Sequence, residues 1–278
     1  MTFQKRLYSF TQHQIIEKVQ VNIPFTMLVE RQWQDLFFNS GINPEIGLAA
    51  EALDNFSLSD FKRFADQFHH RNRSITLHGP FMDLSPGSPD PKVRELTKFR
   101  FKQLLDAVSV FKPKTVVCHA GYDHVRYNFY KEKWLEHTVK IWKWLGRELF
   151  ERGTRLMLEN VYEKEPEDLL QVLERLDPKH IGYCLDVGHL ASFGKFPLEK
   201  WLDATGEYIG QLHLHDNHGD HDSHLGMGKG IINFDRIFGY IKHMTKKPVI
   251  TLEPHEQEDF IASLAYLEQS DFLSVMAA

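Results

Sequence analysis

Eight short apolar runs alternate along this chain with longer segments of helical periodicity, and that alternation restricts the fold more than any other feature. The runs are rich in β-branched and bulky apolar residues, which is typical of parallel strands that are buried on both faces. They span residues 18–23, 45–49, 74–77, 115–118, 155–158, 182–185, 210–214 and 248–252.

Amphipathic segments of helical length lie between these runs. In residues 57–68, for example, Phe61, Phe64 and Phe68 fall on one face of a helix. The others span 93–111, 134–150, 168–176, 198–208, 234–243 and 260–267, whereas the first crossover, around 28–38, is less regular. Strands and helices in alternation predict parallel pairing through right-handed crossovers.

Closure of the eight strands into a (β/α)8 TIM barrel is the most economical arrangement, because a closed barrel leaves no unpaired sheet edge. We therefore expect an α/β fold in which residues 1–278 form one barrel domain. An open, doubly wound sheet is the alternative. No G-x-G-x-x-G motif follows the first run, so a dinucleotide site of the Rossmann type has no support.

Charge and cysteine content limit the partners and the cellular compartment that we expect for the protein. Lys and Arg total 33 against 38 Asp and Glu, a net charge of −5, so no basic surface indicates a nucleic-acid partner. Two cysteines are too few for a disulfide framework and fit a reducing cytoplasm. The first twenty residues lack a signal-peptide run, and no stretch of ~18 apolar residues that would cross a membrane occurs. We expect a cytoplasmic protein, with homo-oligomer formation left open.

Histidine and acidic residues stand where six successive runs end. In barrels of this type the chemistry lies at the carboxyl ends of the strands. Charged side chains after a buried strand are costly unless they are paired or bind a metal, so six such positions at one rim indicate a shared ligand set. The residues are His78, His119, Glu159, Asp186 with His189, His213 with His215, Asp222 and His224 in the following loop, and Glu253.

Imidazole and carboxylate donors together suit zinc, manganese or iron(II), whereas an all-oxygen set would favour magnesium or calcium. The candidates exceed the needs of one tetrahedral ion, so we expect one to three divalent ions per chain. The predicted metal ligands are His78, His119, Glu159, Asp186, His189, His213, Asp222, His224 and Glu253.

The segment after the seventh run adds two predicted substrate contacts. Strand alternation places His213 and His215 on the same face, and we assign His215 to substrate binding. Three glycines in residues 226–230 surround Lys229, which we predict to contact a substrate phosphate. The alternative is a loop whose glycines only let the backbone pass close to a site.

The order of these motifs resembles the xylose isomerase-like TIM barrel superfamily, which includes sugar and sugar-phosphate isomerases, epimerases and endonuclease IV. The resemblance covers about residues 75–255 and is carried by HGPF, CHAG, LEN, CLDVGH, HLHDN, DSHLGMG and LEP, in that order. In the isomerase and epimerase branch, one ion, commonly manganese, is held at positions that match Glu159, Asp186, His213 and Glu253. There the two glutamates move protons next to a carbonyl, and a histidine that matches His189 contacts the substrate.

The endonuclease IV branch (AP endonuclease family 2) uses three zinc ions and nine ligands. All nine matching positions of this chain carry the right residue type, which favours a multinuclear site. The chain departs from that branch before His78, where the DNA-bending loops begin. Its rim segments HGPFMDLSPGSPD, CLDVGH and DNHGDHDSH contain no Lys or Arg.

The resemblance implies a divalent-metal-dependent isomerase or epimerase that acts on a small sugar or sugar phosphate through an enediolate, with zinc or manganese as cofactor. Glu159 and Glu253 would be its acid/base pair. An endonuclease IV-type phosphodiesterase is the first alternative, and a non-catalytic metal or sugar binder is the second. We expect a small carbohydrate partner and no membrane partner; the acidic rim disfavours DNA, although net charge alone does not exclude it.

Overall fold

Eight parallel strands follow one another in sequence order around a closed barrel, and the first pairs with the last to complete it. This computed structural model describes residues 8–277. The strands are β1 (Gln20–Pro24), β2 (Asn43–Gly47), β3 (Thr76–His78), β4 (Thr115–His119), β5 (Arg155–Glu159), β6 (Ile181–Asp186), β7 (Ile209–Leu214) and β8 (Val249–Leu252). The closed ring confirms the predicted (β/α)8 TIM barrel and excludes the open sheet.

Helices connect the strands around the outside of the barrel. They begin where the sequence supplies a cap, as at Ser57, whose hydroxyl accepts the backbone N–H of Asp60. The helices are α1 (Phe10–Ile16), α2 (Phe25–Leu28), α3 (Arg31–Ser40), α4 (Ala50–Asn55), α5 (Leu58–His70), α6 (Pro91–Phe111), α7 (His124–Tyr127), α8 (Lys131–Phe150), α9 (Pro166–Leu173), α10 (Val187–Phe193), α11 (Leu198–Thr205), α12 (Phe234–Lys242), α13 (Gln257–Gln269) and α14 (Phe272–Ala277).

The observed elements differ from the predicted ones at β2 and the first crossover, and the short helices α1, α4, α7, α10 and α14 were not predicted. Strand β2 begins at Asn43, earlier than predicted, because residues 43 and 44 pair with β1. The Asn43 amide also donates to the carbonyls of Ile16 and Val19, at 3.2 and 3.1 Å. Because these contacts are made by a polar side chain, the sequence at this position has no apolar pattern that would indicate a strand. The irregular first crossover consists of the two helices α2 and α3. The C-terminus of α3 is capped by Gly41, whose φ of 67° is left-handed.

Most apolar side chains pack between the strands and the surrounding helices, where Trp134, Trp142 and Trp201 are fully buried. Inside the barrel, Val117, Met157 and Cys184 form a separate small cluster. In the part of the chain that the structure describes, no helix is long and apolar enough to cross a membrane. Residues 1–7, part of the segment predicted to lack a signal peptide, lie outside the described residues.

A layer of buried polar side chains lies inside the barrel, beneath the rim residues. Glu45 is its centre: one carboxylate oxygen accepts hydrogen bonds from the hydroxyls of Thr76 and Thr251, at 2.9 and 3.1 Å, and from the amide of Gln211. All of these side chains are fully buried. A charged carboxylate at this depth is costly without partners, and its remaining oxygen faces the next layer, which is the rim.

Candidate metal centre

The barrel brings the predicted ligands of six successive strands to one rim. Four of them are the final residues of β3 to β6, His213 is the next-to-last residue of β7, and Glu253 directly follows β8. Because inward-facing residues alternate along parallel strands, these side chains converge over the barrel interior. They form three groups, and within each group the potential ligand atoms lie within 4.8 Å of one another.

The central group consists of Glu159, Asp186, His213 and Glu253, all of which are buried. Nδ1 of His213 lies 3.1 Å from a carboxylate oxygen of Glu159, 3.1 Å from one of Glu253 and 3.8 Å from one of Asp186. Three carboxylates thus surround one ring nitrogen. This is one imidazole and three oxygen donors, a set that holds zinc or manganese.

The second group consists of His78, His119 and Glu159, so it shares Glu159 with the central group. One oxygen of Glu159 faces His213, and the other lies 3.1 Å from Nε2 of His78 and 3.5 Å from Nε2 of His119. A carboxylate whose two oxygens face two separate ligand sets is placed to bridge two ions.

The third group consists of His189, His215, Asp222 and His224. A single oxygen of Asp222 lies 3.2 Å from Nε2 of His189 and 3.2 Å from Nε2 of His224. Asp222 and His224 come from the loop after β7, whereas His189 lies on α10, so this group ties the loop to the barrel.

The sequence assigned His215 to substrate binding, and the structure places it in the third group, with its ring only 1% exposed. Its Nε2 is 3.1 and 3.2 Å from the two oxygens of Asp186. The ring stacks on His224, with centroids 3.8 Å apart and planes 3° from parallel. Because these two contacts hold the ring between Asp186 and His224, we interpret His215 as a support that links the two residues.

The histidines have the hydrogen bonds that are typical of metal ligands. Four of them, His78, His189, His213 and His224, turn one ring nitrogen toward a carboxylate of their group and the other toward a fixed acceptor, which sets the tautomer and the ring orientation. The acceptors are the backbone carbonyls of Gly79 for His78, of Asn160 for His189 and of Glu253 for His224, each at 2.9–3.0 Å, and the carboxylate of Glu45 for His213, at 2.9 Å.

Two observations test whether divalent ions fit this rim. Within residues 8–277, every ion pair of Glu159, Asp186, Asp222 and Glu253 is with histidine and none is with Lys or Arg. In addition, Nδ1 of His215 and one oxygen of Asp222 are buried without a hydrogen-bond partner, 3.8 Å apart. Carboxylates gathered at this depth without fixed cations are expensive, so the donor set fits divalent ions.

Without metal, protons on the histidines balance part of this negative charge. Burial alone would lower the pKa of His189, but Asp186, Asp222 and Glu159 raise it well above its usual value. Burial also opposes protonation of His224, but the hydrogen bond to Asp222 and the charge of Glu253 raise its pKa to about 9. His119 behaves differently, because burial lowers its pKa to about 3. The third group therefore holds protons that an ion would displace.

Lys229, the remaining predicted substrate contact, lies away from the three groups. Its amine is 2.8 Å from the carboxylate of Asp259 on α13. The loop around it is folded by Asp216, a residue that the sequence did not single out. The Asp216 carboxylate accepts hydrogen bonds at 2.8–3.1 Å from the backbone N–H groups of Asn217, Gly228, Gly230 and Ile232.

Two further residues around the centre were not predicted as site residues, although both lie in motifs of the sequence. The side chain of Asn160 accepts the backbone N–H of Asp186 and the hydroxyl of Tyr183, at 2.9 and 2.7 Å, and its amide donates to the carbonyl of Asp186. Phe81 stacks on His119, with ring centroids 4.4 Å apart. Asn160 ends the LEN motif directly after a strand, and Phe81 ends the HGPF motif, which were the available signals for them.

The sequence and the fold both have known counterparts. Residues 42–273 match the family described as Xylose isomerase-like TIM barrel. Uncharacterized protein MJ1311 of Methanocaldococcus jannaschii is 30% identical over 203 residues, which cover 70% of this chain and 69% of that protein. Probable endonuclease 4 of Mesomycoplasma hyopneumoniae is 25% identical over 232 residues, which cover 74% of this chain and 80% of that protein.

Solved structures with the same barrel include two of similar score. The TTHB071 protein from Thermus thermophilus, soaked with ZnCl2, has a TM-score of 0.78 and 27% identity, and the match covers 92% of this chain and 98% of that one. A D-tagatose 3-epimerase-like protein has a TM-score of 0.77 and 24% identity, with the same coverage of 92% and 98%. At that identity the second likeness concerns the fold alone.

Proposed function

We propose that this chain, which belongs to the xylose isomerase-like TIM barrel family, is a divalent-metal-dependent hydrolase that cleaves a phosphoester bond in a small substrate. The observation that carries the proposal is the division of the rim into three adjacent ligand groups, two of which share Glu159. In the isomerase and epimerase branch one ion serves the enediolate chemistry, whereas two-metal sites that cleave phosphoesters hold their ions about 3.5–4 Å apart.

The residues that would hold the ions are those of the three groups, with His215 as a support. Divalent ions bound there would supply an acidified water molecule and positive charge beside the leaving oxygen. Zinc and manganese both suit the donors, and a Zn-soaked relative at 27% identity supports zinc.

Glu253 is the carboxylate best placed to accept the proton of the attacking water. One of its oxygens faces His213 at 3.1 Å, whereas the other has its nearest histidine nitrogens at 3.9 and 4.0 Å. Glu253 is also more exposed, at 8%, than Glu159, which is 1% exposed and faces four histidines. We assign Glu253 to proton transfer and Glu159 to holding the centre together.

The choice of a small substrate follows from charge. Binding of a DNA duplex relies on several Lys and Arg contacts to phosphates, and the rim segments 78–90, 184–189 and 216–224 contain none. Sugar phosphates and other small phosphate esters need only one cationic contact. The relative described as a probable endonuclease 4, at 25% identity, supports the phosphoester chemistry.

The second candidate is the isomerase or epimerase of small sugars or sugar phosphates. It is favoured by the central group, in which oxygens of Glu159 and Glu253 both lie 3.1 Å from Nδ1 of His213. Two carboxylates that flank one position suit proton removal and return at neighbouring carbons. This reaction would use the central group alone and would leave the other two groups without a role.

Two assays on metal-reconstituted protein distinguish these candidates. We expect release of p-nitrophenolate from bis(p-nitrophenyl) phosphate with zinc or manganese, lost in Glu253→Gln. Deuterium uptake from solvent into ketoses or ketose phosphates, without ester hydrolysis, would place the isomerase first. Tight metal binding with neither activity would favour the alternative that the protein is a non-catalytic metal or sugar binder. Asp259→Asn, which removes the ion pair of Lys229 outside the groups, serves as the control that retains activity.

A further inference from the structure

A cavity of about 360 Å³ opens beside the second ligand group, between the loops that follow β3, β4 and β5. Its volume falls in the range of about 300–1,000 Å³ that small-molecule sites occupy. His119 forms part of its wall. Because His119 also faces Glu159 at 3.5 Å, one imidazole ring separates the cavity from the metal centre.

Three large apolar side chains, contributed by two of these loops, line this cavity and are exposed to solvent. Phe81 is 41% exposed, Met82 is 69% exposed and Tyr162 is 54% exposed. Exposed apolar side chains that cluster beside a polar centre indicate a binding site. Phe81 reaches the centre itself, because its ring stacks on His119 with planes 24° apart.

Several polar groups of the cavity wall are engaged with one another, whereas the hydroxyl of Tyr122 and the indole N–H of Trp142 are buried without a hydrogen-bond partner. The Ser85 hydroxyl and the Tyr127 hydroxyl are hydrogen-bonded at 2.7 Å. Arg126, which is the only Lys or Arg among the described residues of the lining, lies 3.4 Å from the carboxylate of Asp123. A sugar with several hydroxyl groups would therefore find few free partners.

Glu163, the buried carboxyl of the wall, is engaged in the same way. Its two oxygens accept the backbone N–H groups of Tyr122 and Val161, at 3.1 and 2.7 Å. The rest of the lining is largely aromatic or aliphatic and includes Leu84, Phe101 and Trp142. A flat apolar group can enter such a cavity without breaking the hydrogen bonds of Ser85, Tyr127 and Glu163.

We propose that this cavity is the subsite for a flat apolar group, an aryl or heteroaromatic ring, carried by the ester that the metal centre cleaves. The proposal rests on the proposed hydrolase function and adds the substrate class: a phosphoester with an aromatic substituent next to the scissile bond. The subsite binds and orients the substituent and takes no part in bond breaking.

The test uses three p-nitrophenyl phosphodiesters whose second group is methyl, phenyl or 1-naphthyl, so that the leaving group stays the same. Burial of a ring should raise kcat/KM by about 10-fold or more from the methyl to the naphthyl ester. In the double variant Met82→Ala/Tyr162→Ala we expect this preference to fall to about threefold or less, with the methyl ester still cleaved at about the original rate. No preference, or a preference that the variant leaves intact, overturns the proposal.

The matched control is Phe150→Ala. Phe150 is 48% exposed, similar to Tyr162, but it ends α8 at the opposite end of the barrel, just before β5 begins. This variant should keep the full preference for the naphthyl ester.

A binding experiment separates failure of the subsite from failure of the proposed chemistry. Calorimetric titration of the zinc-loaded protein with 1-naphthylmethylphosphonate and with methylphosphonate requires no turnover. Tighter binding of the naphthyl compound, lost in the double variant, would support the subsite even if no ester were cleaved. Equal affinities would overturn the subsite, whatever the enzyme hydrolyses.

Discussion

The carboxylate of Glu45 lies 2.9 Å from Nε2 of His213, directly beneath the central ligand group and fully buried inside the barrel. This contact leaves only Nδ1 of His213 facing Glu159, Asp186 and Glu253. A carboxylate that accepts the second N–H of a ligating histidine orients the ring and increases its basicity. Glu45 is therefore a positioning residue for the metal centre.

Substitution of Glu45 should weaken metal binding in the central group without dismantling the barrel. We expect Glu45→Ala to raise the dissociation constant of the tightest ion by about 10–100-fold, the usual cost of losing such a partner. Glu45→Gln should fall between the wild type and Glu45→Ala, because its carbonyl still accepts the N–H. Competition with a fluorescent chelator measures the affinity, and circular dichroism checks the fold.

A second buried glutamate provides the control for this experiment. Glu163 is 2% exposed but binds backbone N–H groups and no histidine. Glu163→Ala should lower stability while leaving metal affinity unchanged. Equal losses of metal affinity in both variants would show that Glu45 acts only through general stability.

The shared position of Glu159 predicts that one substitution affects two ions. Glu159→Gln should reduce the metal content of both the central and the second group, because its two oxygens face His213 and His78. Asp222→Asn should affect the third group alone. Elemental analysis after reconstitution gives the stoichiometry of each variant, and an equal loss in both would contradict the bridging role.

The raised histidine pKa values predict opposite effects of pH on the metal-free and the metal-bound protein. The pKa of His224 is about 9, above its usual value, because the hydrogen bond to Asp222 and the charges of Glu253, Asp222 and Asp186 together outweigh burial. This protonation stabilises the metal-free fold below about pH 6.5, and the stabilisation is lost as pH rises through 9. The melting temperature of the chelated protein should therefore fall as the pH rises from about 6.5 to 9.

Metal affinity should change in the other direction, because an ion has to displace the same protons. We expect tighter binding at about pH 8 than at about pH 6, together with proton release that calorimetry in buffers of different ionisation enthalpy would detect. Affinity that is independent of pH would mean that the histidines are neutral before the ion arrives.

The small size of Gly188 leaves room for the His215 ring. A Cβ atom on Gly188 would overlap with that ring, so Gly188→Ala should displace His215 from Asp186 and His224. Overpacking of this kind costs about 1–3 kcal/mol in unfolding free energy, and the third ion should bind more weakly. Gly239→Ala on α12, where no atom lies within 4 Å, should instead stabilise the protein by about 0.5–1 kcal/mol. Chemical denaturation of both variants provides the comparison.

The acidic rim predicts a preference among phosphoesters. We expect the purified enzyme to bind an abasic-site duplex only weakly at physiological salt, since the rim segments offer few cationic contacts. Electrophoretic mobility shift and cleavage assays on such a duplex are the measurement. Specific cleavage that is lost in Glu253→Gln would place the endonuclease function first.

The fold was predictable because its signal is repeated eight times, as apolar runs separated by helical periodicity. The rim was predictable for the same reason: His78, His119 and Glu159 each follow a buried run, where a polar residue is conspicuous. The boundaries of β1 and β2 were harder to predict from the sequence, because Asn43 pairs through polar groups that leave no apolar periodicity.

The supports of the centre escaped prediction because their partners are distant in sequence. Glu45 stands at the start of an apolar run, where it resembles an ordinary strand-flanking residue, and its partner His213 lies far along the chain on β7. His215 shares the face of His213, as predicted, yet the stacking on His224 buries it. Only the three-dimensional packing of α10 and the loop after β7 determines that burial.

The hydrogen bonds of Asp216 have a consequence for how ions enter and leave. Residues 217–231, which carry Asp222 and His224, are held at both ends by backbone N–H groups bonded to one carboxylate that belongs to no ligand group. The conformational entropy of closing this loop is thus lost when the chain folds, before any ion arrives. The shape of this loop therefore rests on protein contacts rather than on the ion, unlike that of a zinc finger, and a chelator should strip the centre while the loop keeps its shape, ready to be reloaded.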